Sequence, residues 1–185
     1  MMRRSLAALV VLLVAACGSA PQTYYTLAFA GGAQMRTPPI SIELHRVGVA
    51  AYLDRPEIVT APAAYRVAVS NNERWAEPLG RMLERVFAED LVQRLPAASV
   101  FTESGAIAAD ADRILELDVQ RLDVDGAGNV VLVAQIAVRR DGNKRPALAR
   151  TFRLSAAAVP GQPAAAAISA LVGQLADEAA RMIAG

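Results

Sequence analysis

The sequence predicts an α+β protein: a mostly antiparallel sheet with two amphipathic helices packed on one of its faces. Three observations predict it. Period-two runs of apolar residues recur through residues 40–70 and 113–157, the pattern of half-buried strands. Two other stretches, 75–95 and 163–183, carry apolar residues at three- and four-residue steps, the spacing of one helical face. The order strands, helix, strands, helix then brings both helices to a single sheet.

Each element has its own signal. Residues 18–39 are rich in Gly, Ala, Pro, Gln and Thr and suit a flexible tether, except for "YYTLAF", Tyr24 to Phe29, an edge strand or a docking segment. In "ISIELHRVGVAAYL" the apolar phase runs through Ile40, Ile42 and Leu44 and shifts to Val47 and Val49, as in a strand bulged near His45 and Arg46. "EIVT" and "AYRVAVS" are two further short strands, after which Asn71 and Asn72 supply turn and cap chemistry. From Trp75 to Leu95 the stripe is Trp75, Leu79, Met82, Leu83, Val86, Phe87, Leu91 and Leu95, while Arg81, Glu84, Arg85 and Glu89 face away. Pro78 fits the first turn, where no amide partner is lost, and Pro96 ends the helix.

After a brief "SVFT" strand, "DRILELDVQRLDVD" changes phase between Val119 and Leu122, and "NVVLVAQIAVRR" keeps Val130, Leu132, Ala134, Ile136 and Val138 on one side. With turns at Gly126–Gly128 and Asp141–Asn143, and "ALARTFRLSAA" as the last strand, these make an antiparallel meander. The second helix places Ile168, Leu171, Val172, Leu175, Ala179 and Met182 on one stripe.

The first sixteen residues belong to none of this. Arg3 and Arg4 precede an apolar core, Leu6 to Ala16, as in a secretory signal. Eleven helical residues cover only about 16 Å, against a hydrocarbon core about 30 Å thick, so a permanent span is not expected. The one cysteine of the chain, Cys17, directly follows. "VAAC" resembles the bacterial lipobox, which implies a diacylglycerol on the Cys17 sulfur, cleavage before it and a further N-acyl lipid. Without aspartate after the cysteine, Gly18 and Ser19 imply by the same resemblance the outer membrane, at its periplasmic face. The organisation expected is therefore a lipoprotein signal peptide over 1–16, lipidated cysteine and tether over 17–39, and a single α+β domain over 40–185.

Charge and motifs exclude several activities. Losing residues 1–16 removes two arginines and takes the formal charge from +1 to −1, too little field to gather nucleic acid. With no cysteine beyond Cys17, no disulfide staples the domain. His45 is the one histidine, and no G-x-S-x-G elbow offers it a nucleophile. Asp123, Asp125, Gly126 and Asn129 resemble a calcium loop only superficially, since Ala134 stands where an EF-hand needs glutamate. Asp110 and Asp112 read as caps or turn residues, and Gly126–Gly128 lacks the lysine of a phosphate loop. No enzyme, no metal and no cofactor beyond the covalent lipid is expected.

"AYLDRPEIV", Ala51 to Val59, is harder to read as structure alone, because Asp54-Arg55-Pro56 sets charge and a rigid bend between two strands. Here a family resemblance enters. "YYTL" soon after the lipobox cysteine, "YLDRPEIV", "RWAEPL" opening the first helix and a late "DVQRLD" strand are similar, in this order and across most of the mature chain, to the ABC-type transport auxiliary lipoproteins. These include the Pqi-type lipoproteins that accompany mammalian-cell-entry (MCE) lipid transport systems. The resemblance implies a periplasmic adaptor held at the outer membrane, partnered with an MCE-domain protein of an ABC transporter that moves phospholipid or another hydrophobic molecule between the membranes. A homo-oligomeric ring is compatible with such a conduit. Asp54, Arg55, Pro56, Trp75, Glu77 and Pro78 become the candidate partner-binding residues, Arg55 and Trp75 leading because these types dominate interface energetics. The alternative is a lipid-binding chaperone lipoprotein, which requires a cavity between sheet and helices lined by residues such as Val86, Leu117 and Ile136.

Overall fold

The computed structural model of the protein describes residues 21–107, 109–142, 148–159 and 161–185. Its element order is β1 (Thr23–Tyr25), β2 (Ser41–Leu44), β3 (Gly48–Val49), β4 (Glu57–Ala63), β5 (Arg66–Trp75), α1 (Leu79–Arg94), β6 (Ser99–Thr102), β7 (Arg113–Asp125), β8 (Asn129–Arg140), β9 (Leu148–Ala157) and α2 (Ala164–Ala184). The signal segment and Cys17 lie outside the described residues, as does the Asn143 end of the second meander turn.

Among the described residues the expected α+β architecture is present as one nine-stranded sheet and two helices. Strand β7 is its axis. One side of β7 pairs along its whole length with β8, and β8 with β9, giving the antiparallel meander expected from the sequence. The other side is shared by β2, β3 and β4, which join it in parallel one after another. The phase change in the β7 sequence is a register shift between Val119 and Arg121, which lets Val119 and Leu122 both be buried.

The parallel joins depart from a mostly local, antiparallel reading, because alternation reports which face of a strand is buried and not the direction of its neighbour. The bulge expected at His45–Arg46 is a complete break between β2 and β3, bridged by the His45 amide donating to the Leu115 carbonyl at 3.0 Å. Asn71 and Asn72 do not end a strand; β5 runs on through them to Trp75. Trp75 is therefore a strand residue, and α1 starts four residues later, behind Pro78.

Both helices bury their stripes against the sheet and each other, with Val86, Phe87, Leu91, Leu171 and Ala176 fully enclosed. One expectation on α1 fails: Glu84, assigned to the outer face, is 2% exposed, and its carboxylate accepts the Ser104 hydroxyl. The cavity required of a lipid chaperone is not where it was expected. Val86, Leu117 and Ile136 are 0%, 3% and 0% exposed within the packed core, a position that leaves no lipid-sized space among them.

The domain also begins earlier than residue 40. Thr23–Tyr25 pairs in parallel with Glu73–Trp75, Leu27 is 2% exposed, and the chain to Met35 lies as a strap across the two helices. The Ala28 amide donates to Ser169 Oγ at 3.0 Å, Ala30 to Asp90 Oδ1 at 2.8 Å, Gly32 to Gln93 Oε1 at 3.0 Å and Met35 to the Arg94 carbonyl at 2.7 Å. A Gly- and Ala-rich composition reads as flexible when seen alone, but here small residues let the backbone approach the helices. A Cβ on Gly32 would collide with the Arg94 guanidinium, and one on Gly173 would sit 2.6 Å from Ala30 Cβ.

Candidate functional site

The two candidate partner-binding segments, nineteen residues apart in sequence at their nearest, meet in space. The link from β3 to β4 is shaped by Leu53, which is 1% exposed and acts as its buried anchor. The Leu53 amide donates to Ala50 O and the Arg55 amide to Leu53 O, both at 2.8 Å, a tight turn that leaves Asp54, Arg55 and Pro56 exposed. The Trp75 amide then donates to Pro56 O at 2.7 Å and the Ala76 amide to Tyr25 O at 2.8 Å. The Arg74–Glu57 ion pair at 3.2 Å pins the strands just behind. The result is a groove of about 340 Å³ lined by Asp54, Arg55, Pro56, Trp75, Ala76, Glu77 and Pro78.

Its residues have unequal parts. Asp54 and Arg55 have no side-chain partner among the described residues, so both charges are available. Glu77 is committed to Arg85 at 2.6 Å. The two prolines give rigid apolar walls without amide donors. Trp75 is only 5% exposed and belongs mainly to the core, so it supports the groove floor more than it offers an anchor. The groove has the shape to receive an extended or turn-like segment, with Asp54 and Arg55 as the charges that could read it.

The other sequence candidates are scattered. His45 lies 3.6 Å from Glu43, in the break between β2 and β3. Asp112 accepts the Ser41 amide and hydroxyl at 2.8 and 2.9 Å, and these bonds to the charged form hold its carboxyl below the usual range. Asp125 accepts the amides of Ala127 and Asn129, each at 2.9 Å, an Asx arrangement that closes the β7–β8 turn and likewise lowers its pKa. Asp123 is paired bidentately with Arg121 and accepts the Tyr52 hydroxyl at 3.2 Å; burial, followed by that carboxylate, pushes the Tyr52 pKa up. Among the described residues no three His, Cys, Asp or Glu side chains are grouped as a metal site, and no helix is long and apolar enough to cross a membrane.

Sequence reasoning missed the polar cluster under the strap. Arg94, 1% exposed, reaches Asp177 at 2.5 Å and the carbonyls of Ala30, Asp90 and Gly173 at 2.9, 3.1 and 2.9 Å. It thereby ties the N-terminal strap to both helices. Asp90, fully enclosed with one oxygen unpartnered, has its pKa raised to about 6, because burial outweighs the help from the Ala30 amide and Arg94. The signal available was Asp90 and Arg94 one turn apart on the buried side of the α1 stripe.

A family model, ABC-type transport auxiliary lipoprotein component, matches residues 25–180. No curated protein matches the chain. Among solved structures, one crystal structure of an uncharacterized protein aligns with a TM-score of 0.74 at 22% identity, covering 89% of this chain and 99% of its own. A Xanthomonas campestris protein aligns with a TM-score of 0.70 at 20% identity over 88% and 93% of the two chains. A PelC dodecamer from Paraburkholderia phytofirmans aligns at 0.48 with 10% identity over 83% and 94%.

Proposed function

The chain belongs to the family of ABC-type transport auxiliary lipoprotein components, and from that premise we propose that it is the membrane-anchored periplasmic adaptor of an MCE-type lipid transport system, docking through the Asp54–Pro56 and Trp75–Pro78 groove. The family is one of transport auxiliaries and not of enzymes.

The observation that carries the reading is polarity of the domain. Strand β1 runs parallel to β5 with Thr23 beside Glu73, so the chain leading back toward Cys17 sets out toward the β5 start, away from the groove at the β5 end. A lipid on Cys17 would hold one end of the molecule at the bilayer and leave the groove facing the periplasm, where a partner reaching from the inner membrane arrives. One acyl chain binds a bilayer only marginally and several bind durably, so a three-chain anchor suits a stationary adaptor. The outer membrane is its proposed address and phospholipid or another hydrophobic molecule its proposed cargo. The packed core favours this reading over a chaperone that encloses lipid itself.

The test is copurification of the MCE-domain partner with the full lipoprotein and with a charge-reversed groove, Asp54→Arg with Arg55→Glu. Both side chains are exposed, so stability should stay within about 0.5 kcal/mol of the parent while the partner is lost. Undiminished copurification sinks the groove assignment. Mass spectrometry of the mature N-terminus tests the anchor separately, by the mass of an acylated Cys17.

A further inference from the structure

The β4–β5 hairpin ends in a feature that neither the groove nor the core explains. Ala64 and Tyr65 form its two-residue loop between the paired Ala63 and Arg66. Tyr65 sits there at φ +62°, a left-handed conformation that costs a side-chain-bearing residue roughly 1–2 kcal/mol. Its ring touches no packed surface: Tyr65 is fully exposed, and Val67 and Val69 behind it are 52% and 38% exposed. A glycine would close this turn with less strain and no apolar exposure. The β7–β8 turn lies alongside, since Thr60 and Ala61 pair with Val124 and Asp125. The Ala158 amide donates to Gly128 O at 3.1 Å and brings exposed Val159 to the same end. Small and apolar groups thus gather at one pole of the sheet.

The register of β1 relates this pole to Cys17. Seven residues of β5 separate Glu73 from Arg66, about 23 Å at strand rise. Six residues separate Thr23, beside Glu73, from Cys17, a reach of at most about 21 Å. The reach of the chain from β1 back to Cys17, taken along the direction of β1, therefore ends at about the height of the hairpin tip.

We propose that the Tyr65 tip is a second membrane contact, seated in the headgroup layer of the bilayer that the Cys17 lipid enters; this rests on the anchoring reading given above. Tyrosine suits that layer, with an apolar ring and a hydroxyl that stays wet. The charges at this pole are mixed: Arg66 is exposed, Arg121 is paired with Asp123, and Asp125 is held by two backbone amides. The contact is consequently interfacial rather than electrostatic and needs no anionic lipid. Its consequence is orientation, because a lipid tail alone leaves the domain free to tilt and a second contact sets the groove away from the membrane.

The experiment uses the full lipidated protein carrying Tyr65→Trp, incorporated into phosphatidylcholine vesicles with and without a nitroxide-labelled lipid, with flotation run in parallel. The parent is the control, since its one tryptophan, Trp75, is buried at the other end of β5. The expected result is a blue shift and, with labelled lipid, a marked loss of emission from the indole introduced by Tyr65→Trp, with no change in the parent. Flotation with unaltered emission overturns the hairpin contact while the anchor stands. Failure to float removes the anchor reading and this proposal with it. A blue shift that labelled lipid does not quench also overturns it, showing the tip covered by protein.

Discussion

Replacing Arg94 by methionine isolates the cluster that binds the N-terminal strap to the helices. Methionine fills the aliphatic part of the Arg94 site and vacates only its guanidinium end, so most of what is lost is electrostatic. Arg94→Met leaves Asp177 without its 2.5 Å partner, removes the guanidinium donor from the carbonyls of Ala30, Asp90 and Gly173, and takes from Asp90 the cation 3.8 Å away. Breaking a buried pair by removing one member costs about 3–5 kcal/mol, a large part of a total stability of about 5–15 kcal/mol. Asp177 is 28% exposed and water recovers some of its loss, so the lower half of that range is expected at pH 8. Asp90 has an escape that Asp177 does not need: it takes up a proton. Arg94 lowers the Asp90 pKa, so without Arg94 it climbs above about 6, and the variant's deficit shrinks at pH 5. Urea unfolding at the two pH values measures both effects, and limited proteolysis reports release of residues 28–35. A loss under about 1 kcal/mol at pH 8, or a deficit no smaller at pH 5, would refute the argument that a buried charge cluster ties the strap down.

Asp90 also sets a pH dependence in the parent. Its folded pKa of about 6 lies above the ordinary 3.8, so the folded state holds the proton more tightly, and this contribution is present in full below the ordinary value and lost as pH rises through about 6. Asp90→Asn should flatten that decline while keeping an acceptor for the Ala30 amide; an unchanged slope in urea midpoints against pH refutes it. Asp112 and Asp125 act in the opposite sense, since their lowered pKa values stabilise the fold above the ordinary carboxylate range and cease to as acid protonates them. Gly173→Leu drives a side chain into Ala30 and should cost about 1–3 kcal/mol, with cleavage of the strap by trypsin or chymotrypsin preceding global unfolding. Trp75→Ala should cost about 3–5 kcal/mol by chemical denaturation, as a core truncation, which separates it from the near-neutral groove substitutions at Asp54 and Arg55.

Much of the fold was written in local pattern. The α1 and α2 stripes, the meander from Arg113 to Ala157 and the bulge after Val119 follow from apolar spacing and turn chemistry, which act over a few residues. The edge strand offered as one reading of "YYTLAF" is β1, whereas the strap that follows was obscured because Gly and Ala carry no period. Glu84, Asp90 and Arg94 were misjudged or passed over because polar side chains on a helix are solvated unless something folds over them. The groove was half legible: "LDRP" stands out as charge and a rigid bend where a plain connection needs neither, whereas "RWAEP" was marked as a site only by the family resemblance.

Composition and short-range order therefore determined the class of the protein, its two helices and the Cys17 expectation, since each depends only on which residues stand near one another along the chain. Tertiary structure alone decided that Pro56 lies against Trp75, that Arg94 clasps Ala30 and Gly173, and that β1 runs alongside β5 toward the groove, so that the chain ahead of it leads back toward the Tyr65 end. Those relations arise from register and burial between segments distant in sequence, and they come into being only when the sheet closes and the helices cover it.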